Sequence, residues 1–175
     1  MSLRHGILGL LAERPRSGYD LTRAFDSSLA DVWPASHSQI YPELARLTAD
    51  GLIEQVGEGP RGRKVFATTD AGDAEVVRWL RDDPPNRAVR DESLLRGFFL
   101  WLLPTDEARS QLETEAAWHR AEVARYEAVV ADGSIDWTAT PAARTQRIMI
   151  ESGIRVRRAL AEWAKWSVDR MEHDP

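Results

Sequence analysis

Residues 52–69 read Leu-Ile-Glu-Gln-Val, then Gly-Glu-Gly-Pro-Arg-Gly, then Arg-Lys-Val-Phe-Ala-Thr-Thr. Two short β-prone runs on either side of a Gly/Pro turn make a hairpin. Everything around it has helical periodicity. A single hairpin set among helices constrains the fold more than any other feature of the chain, because it makes the protein mainly α with one small β element.

The helices can be placed by their apolar spacing and their stop signals. Residues 3–13 put Leu3, Ile7, Leu10 and Leu11 on one face. Pro15, Ser17 and Gly18 mark a turn, and a second helix over 19–28 turns Leu21, Ala24, Phe25 and Leu29 inward. A third helix opens in Ser-His-Ser-Gln-Ile-Tyr-Pro-Glu-Leu, residues 36–44. Ser36 and Gln39 suit a capping box there, with Ser38 as the alternative cap. Pro42 predicts a short or bent first turn. Ile40, Leu44 and Leu47 form the buried stripe, and Gly51 ends the helix. After the hairpin, Thr69 or Asp70 caps a fourth helix reaching about Arg81.

The Asp-Asp-Pro-Pro-Asn run at 82–86 reads as a linker. It divides the chain into an expected first domain of 1–83 and a second of 84–175. The second reads as all helical: 91–103, broken by Pro104; a long helix from a Thr105 cap to about Ala131, stopped by Gly133; and a last one from Thr140-Pro141 to about Met171. Leu112, Ala116, His119, Val123, Tyr126 and Val130 follow a 4, 3, 4, 3, 4 spacing, a coiled-coil-like seam with one polar slot. The last helix has two apolar stripes. One is Ile150, Ile154, Ala161, Ala164, Val168 and Met171; the other is Val156, Leu160 and Trp163. Two stripes call for two contacts, one within the chain and one with a second copy.

Composition removes several function classes. The 175 residues contain no cysteine, so disulfides, thiolate metal sites and a cysteine nucleophile are out. His5, His37, His119 and His173 are scattered away from ligand spacing, so no metal and no cofactor is expected. No secretory signal is visible, and the apolar run over 94–103 is too short to span a bilayer. The location expected is cytoplasmic. Adjacent Ser36, His37 and Ser38 could suggest a hydrolase, but neighbours on a helix point apart. There is also no Gly-x-Ser-x-Gly elbow. No catalytic residue is assigned.

Three helices followed by a hairpin within about 70 residues is the order of a winged helix-turn-helix. In that arrangement the start of the third helix faces the DNA major groove. Side chains there must hydrogen-bond to base edges or phosphates, and Ser38, Gln39, Tyr41 and His37 can do so. Gln suits bidentate contact with adenine. The wing offers Arg61, Arg63 and Lys64 to the backbone. Charge opposes this reading. Residues 1–83 carry ten Lys and Arg against thirteen Asp and Glu, a net of −3, and the remainder has a net of −2. Contact with nucleic acid must then rest on a local basic patch. The competing reading is a ligand- or protein-binding helical module that no longer binds DNA.

Three blocks, GILGLLAERPRSGYDLTRAF, WPASHSQIYPELARLTADGLIE and GRKVFATTDAG, together span residue 6 to about 72. They resemble the PadR family of bacterial transcriptional regulators in content and in order. The helical second half resembles the larger subfamily, whose C-terminal part is related to virulence activators. HSQIYPEL, followed by VRDESLLRGFF, is similar to its phenolic-acid-responsive members. The resemblance implies a homodimer held by the C-terminal helices, an inverted-repeat double-stranded operator and repression, with release by a small aromatic effector. It implies a DNA-facing set of Ser36, His37, Ser38, Gln39 and Tyr41 on the helix and Arg61, Arg63 and Lys64 on the wing, with Tyr19 as a phosphate or effector contact.

Of seven tryptophans, Trp79, Trp101, Trp118, Trp163 and Trp166 fall on predicted helices and Trp33 and Trp137 in loops. Flat apolar side chains suit flat apolar ligands. An anionic aromatic acid also needs a cation. The set expected for such an effector is Tyr19, Trp33, His37, Trp118 and Arg120, at the junction of the two halves. His119 is read first as the polar member of the seam.

Overall fold

The computed structural model describes all residues except 1, 28, 31, 88, 89, 174 and 175; the side chains of Ser2, Arg61, Glu172 and His173 are also outside it. The chain divides into two compact units, 1–87 and 88–175, and the boundary falls in sequence just past the 82–86 segment.

In the first unit α1 (Ser2–Glu13), β1 (Arg16–Ser17), α2 (Gly18–Ser27) and α3 (His37–Ala49) precede β2 (Ile53–Gly59) and β3 (Arg63–Thr68). A single 3-10 turn, Pro60–Gly62, joins the two strands, and α4 (Asp70–Asp82) follows. Ile7, Leu8 and Leu11 of α1 meet Leu21 and Phe25 of α2, Ile40, Leu44 and Leu47 of α3, and Ile53 of β2. Each such side chain contributes about 1.5–3 kcal/mol by leaving water, so this cluster fixes how α3 is presented. Leu8 is fully buried, while Leu3 and Leu10 pack at the edge.

Two links hold the hairpin to the helices. Gly51, at φ 70°, ends α3 in a Schellman arrangement, with its N–H donating to Thr48 O (3.1 Å) and that of Leu52 to Leu47 O (3.0 Å). Thr69 closes the loop from the far side. Its hydroxyl donates to Gly51 O (2.8 Å), its N–H donates to Leu52 O (3.1 Å), and its Oγ1 accepts from Gly72 N–H (3.2 Å) as the cap of α4. Gly72 lies so close to Leu52 that a Cβ would run into the Leu52 carbonyl oxygen.

The sheet is three-stranded and antiparallel, in the order β1-β3-β2, with Ser17 opposite Val65 and Glu58 opposite Lys64. The sequence reading has a turn where β1 lies. Two residues are too short for any alternation to register, and their partners Phe66 and Val65 lie 50 and 48 positions away in the chain.

In the second unit α5 (Glu92–Gly97) is followed by a 3-10 turn at Leu100–Leu102, then α6 (Thr105–Ala131) and α7 (Pro141–His173). The expected single helix over 91–103 is therefore two pieces. From Phe98 onward the N–H groups of Phe98, Phe99, Leu102 and Leu103 bond three residues back, the tighter winding of a 3-10 helix. Asp91 caps α5, accepting from Ser93 N–H (2.9 Å) and Leu94 N–H (3.2 Å). Pro104 occupies the cap position of α6, so Thr105 is its first residue rather than its cap. Thr140 caps α7 through Ala143 N–H at 3.0 Å.

α6 and α7 pack along the expected seam. Ala108, Leu112, Ala116 and His119 are buried against Ile154, Ala161 and Ala164. The second α7 stripe is partly uncovered: Val156 and Trp163 are exposed and Leu160 is half-buried, while Ile148, Met149 and Trp166 are exposed elsewhere on the helix. Phe98 and Trp101, in the segment after α5, are 77% and 75% exposed.

Candidate nucleic-acid interface

The start of α3 presents a cluster of polar side chains to solvent. Ser36 takes the extended N-cap conformation, and Ser36, His37, Ser38, Gln39 and Tyr41 are all exposed, while Ile40 is fully buried. The capping box forms. Gln39 Oε1 accepts from Ser36 N–H (2.9 Å) and from the Ser36 hydroxyl (3.1 Å), and the Ser36 and Ser38 hydroxyls share a hydrogen bond (2.9 Å). Gln39 thus orders the turn it sits on. Its side-chain amide N–H groups are left for an acceptor outside the helix. Pro42 lies inside α3, and the helix continues through it to Ala49.

One contact joins this turn to α2, and a second joins α2 to the wing. The Tyr41 ring lies against Gly18 at the start of α2 and stacks on His37, centroids 4.2 Å apart. At the same end of α2, the Arg63 guanidinium lies over the Tyr19 ring at 4.6 Å, and Arg63 Nε donates to Pro60 O (3.1 Å). The first turn of α2 therefore touches both α3 and the base of the wing. Lys64 is exposed, and the Arg61 side chain is outside the described residues.

Three acidic residues around this face, Glu43, Asp50 and Asp20, are already engaged. Glu43 faces Arg46 (3.0 Å) and Arg4 (3.8 Å), and Asp50 accepts from Arg4 (2.7 Å). Asp20 accepts from the Ser17 hydroxyl (2.6 Å), which with the Ser17 N–H and the charges of Arg63 and Arg16 holds its carboxyl below the ordinary value. Local pairing keeps these three carboxylates from standing as isolated negative charges on this face.

Of the residues expected for an effector, Tyr19, Trp33 and His37 are exposed in the first unit, and Trp118 and Arg120 are exposed on α6. The cation over Trp118 is Arg157 of α7, at 4.6 Å, rather than Arg120. Beside it His119 is 1% exposed and its Nδ1 has no hydrogen-bond partner among the described residues. Burial first, and then the charge of Arg157, pushes its pKa down, so the ring is held neutral. Among the described residues no three His, Asp or Glu side chains are grouped to hold a metal ion, and no helix is long and apolar enough to cross a membrane.

Sequence reasoning missed the Tyr41–Gly18, Arg63–Tyr19 and Arg157–Trp118 contacts. Each joins residues far apart in the chain. Only the first left a signal, an exposed-face tyrosine in α3 and a glycine where α2 begins.

A three-helix unit closed by an antiparallel wing, with a solvent-facing polar helix start beside it, defines a winged helix-turn-helix protein. Residues 7–78 match the transcriptional regulator PadR-like family, and residues 89–172 match the virulence activator alpha C-terminal family. The negative transcriptional regulator PadR of Bacillus subtilis is 37% identical over 125 residues, 69% of either chain. The chain belongs to the PadR-like family of transcriptional regulators. Among solved structures, Bacillus subtilis PadR in complex with operator DNA matches with TM-score 0.82 and 29% identity, over 96% of this chain and 97% of that one. The same protein in complex with p-coumaric acid matches with TM-score 0.84 and 27% identity, over 99% and 100%. The virulence activator AphA of Vibrio cholerae matches with TM-score 0.76 and 28% identity, over 97% and 98%.

Proposed function

We propose that this regulator is a cytoplasmic homodimeric repressor that acts by binding, and that it sets two copies of α3 into successive major grooves of an inverted-repeat operator. The observation that carries this reading is the exposed, capped start of α3. Five hydrogen-bonding side chains stand together there, on a turn clamped by Tyr41 against Gly18. Base reading falls to Ser38, Gln39, His37 and Tyr41. Arg61, Arg63 and Lys64 hold the backbone. Ser36 serves mainly to shape the turn.

The dimer is supported by the apolar surface that the second unit leaves uncovered along α7 and in the segment after α5. Exposed aromatic and aliphatic side chains in that number mark an interaction surface. A C2 pair of such surfaces fixes the separation of the two reading helices, and half-sites recur about every 34 Å along one DNA face.

A small aromatic acid is the proposed effector, supported by the p-coumaric acid complex of the Bacillus subtilis relative. Tyr19, Trp33, His37, Trp118 and Arg120 are the side chains proposed to answer to it, with Arg157 added for its position over Trp118. The effector lowers operator affinity by the difference in its affinity for the two states, and by no more. An electrophoretic mobility shift on the fragment upstream of the protein's own gene tests both parts. A discrete shift that p-coumarate reverses supports the reading. No shift at low salt rejects DNA binding, and a shift indifferent to phenolic acids rejects the effector class.

A further inference from the structure

Next to the first turn of α2, on the side where β1 begins, lies an open cavity of about 550 Å³. Arg14, Arg16 and Arg23 line it, together with Asp20 and Ser27. Arg16 is fixed in place: its Nε donates to Leu10 O (3.2 Å) and its guanidinium also bonds Glu13. Asp20 is spent on Ser17. The guanidinium groups of Arg14 and Arg23 are exposed, and no described side chain pairs with either. Two guanidinium groups that no described side chain engages, over a concave floor, suit one kind of guest, an oxyanion held by paired N–H donors.

The position of the cavity says which oxyanion. Asp20 feels both Arg63, at the base of the wing, and Arg16, inside the cavity. Tyr41 ties the start of α2 to the reading helix. A line of guanidinium groups thus runs from the wing base past Tyr19 to Arg16 and out to Arg14 and Arg23. We propose that this cavity receives DNA phosphodiester groups flanking the bases read by α3, with Arg14 and Arg23 as backbone contacts that position the unit without reading sequence. The inference rests on the DNA-binding reading above and extends the contact surface beyond helix α3 and the wing. It also bears on the charge problem, since the acidic chain would reach DNA through a strip in which Glu13 and Asp20 are internally satisfied.

The test is fluorescence anisotropy with two duplexes, the upstream fragment and a random sequence of equal length, over a range of salt. Each neutralised phosphate contributes about 0.9 to the slope of log affinity against log salt. The Arg14→Ala/Arg23→Ala variant is expected to lose about tenfold on both duplexes alike, with a slope shallower by about 1–2. Arg14→Lys/Arg23→Lys is expected to keep most of the slope. Both side chains are exposed, so the melting temperature should not move. An alanine variant with unchanged affinity and slope, while Lys64→Ala alters both, overturns the proposal and leaves the cavity to a small free anion. Loss confined to the upstream fragment also overturns it, because it would make these residues sequence readers. Wild-type protein that binds neither duplex fails the DNA-binding reading itself, a result distinct from either.

Discussion

The ring of Tyr41 occupies the space that a side chain on Gly18 would need: a Cβ there would lie 2.8 Å from Tyr41 Cζ and 3.0 Å from its hydroxyl oxygen. One tyrosine thereby ties the first turn of α3 to the first turn of α2, and its orientation depends on a glycine 23 positions earlier.

Gly18→Ala should therefore destabilise the first unit by about 1–3 kcal/mol through overpacking. It should also weaken DNA binding by displacing Tyr41. Adding Tyr41→Ala should recover much of the stability but not the binding. Thermal melts read the first effect and anisotropy the second. Equal stability of Gly18→Ala and wild type would contradict the clamp.

Gln39 caps α3 and is proposed to read a base, and substitution can separate the two. Gln39→Ala removes the capping-box acceptor for Ser36 N–H, costing about 0.3–1.5 kcal/mol, and relaxes base preference at one position. Gln39→Glu keeps the acceptor but has no amide N–H to offer adenine N7. It should melt like wild type and still lose the preference. Chemical denaturation with binding-site selection distinguishes the two. A Glu variant with wild-type base preference would remove Gln39 from the reading set.

Thr69 and Gly72 close the hairpin onto α4. Thr69→Ala removes a helix cap and the bond to Gly51 O, and should cost about 1–2 kcal/mol. Gly72→Ala forces a Cβ against the Leu52 carbonyl, which must shift, and should cost at least as much. The two residues explain why a Thr-x-x-Gly block follows the wing. Urea midpoints check both values.

His119 makes the second unit sensitive to acid. Its folded pKa lies below the ordinary 6.5, so between 6.5 and that lower value the unfolded chain binds the proton and the folded one does not. Its contribution to stability is complete above pH 6.5 and is lost as pH falls towards the folded pKa. Asp91 from the cap of α5 and Glu115 and Glu122 on α6 soften the loss, while Arg157 on α7 sharpens it. Melting temperature measured from pH 7.5 to 5 should fall more in wild type than in His119→Leu. Parallel curves would contradict a buried neutral ring.

The sequence and the structure agree where a signal is local and periodic. The stripes Ile40, Leu44 and Leu47 and Leu112, Ala116 and His119 are buried as their spacing requires. Gly51, Ser36 and Thr140 mark helix ends because cap chemistry is confined to a few neighbouring residues. Long-range choices were not legible. β1 exists only through Val65 and Phe66. The apolar run after Asp91 suits several windings, and backbone bonding divided it between α5 and a 3-10 turn. Arg63 looked like a free wing cation, but it lies over Tyr19. The exposed start of α3 was legible because five polar residues are wasted in a core.

The central claim is that two chains grip one duplex through α3. Sedimentation velocity of labelled upstream fragment with increasing protein measures it directly. The account predicts a complex of two chains per duplex at low salt that dissociates as salt rises. A species of one chain per duplex, or a duplex that sediments unchanged at every protein concentration, would contradict it.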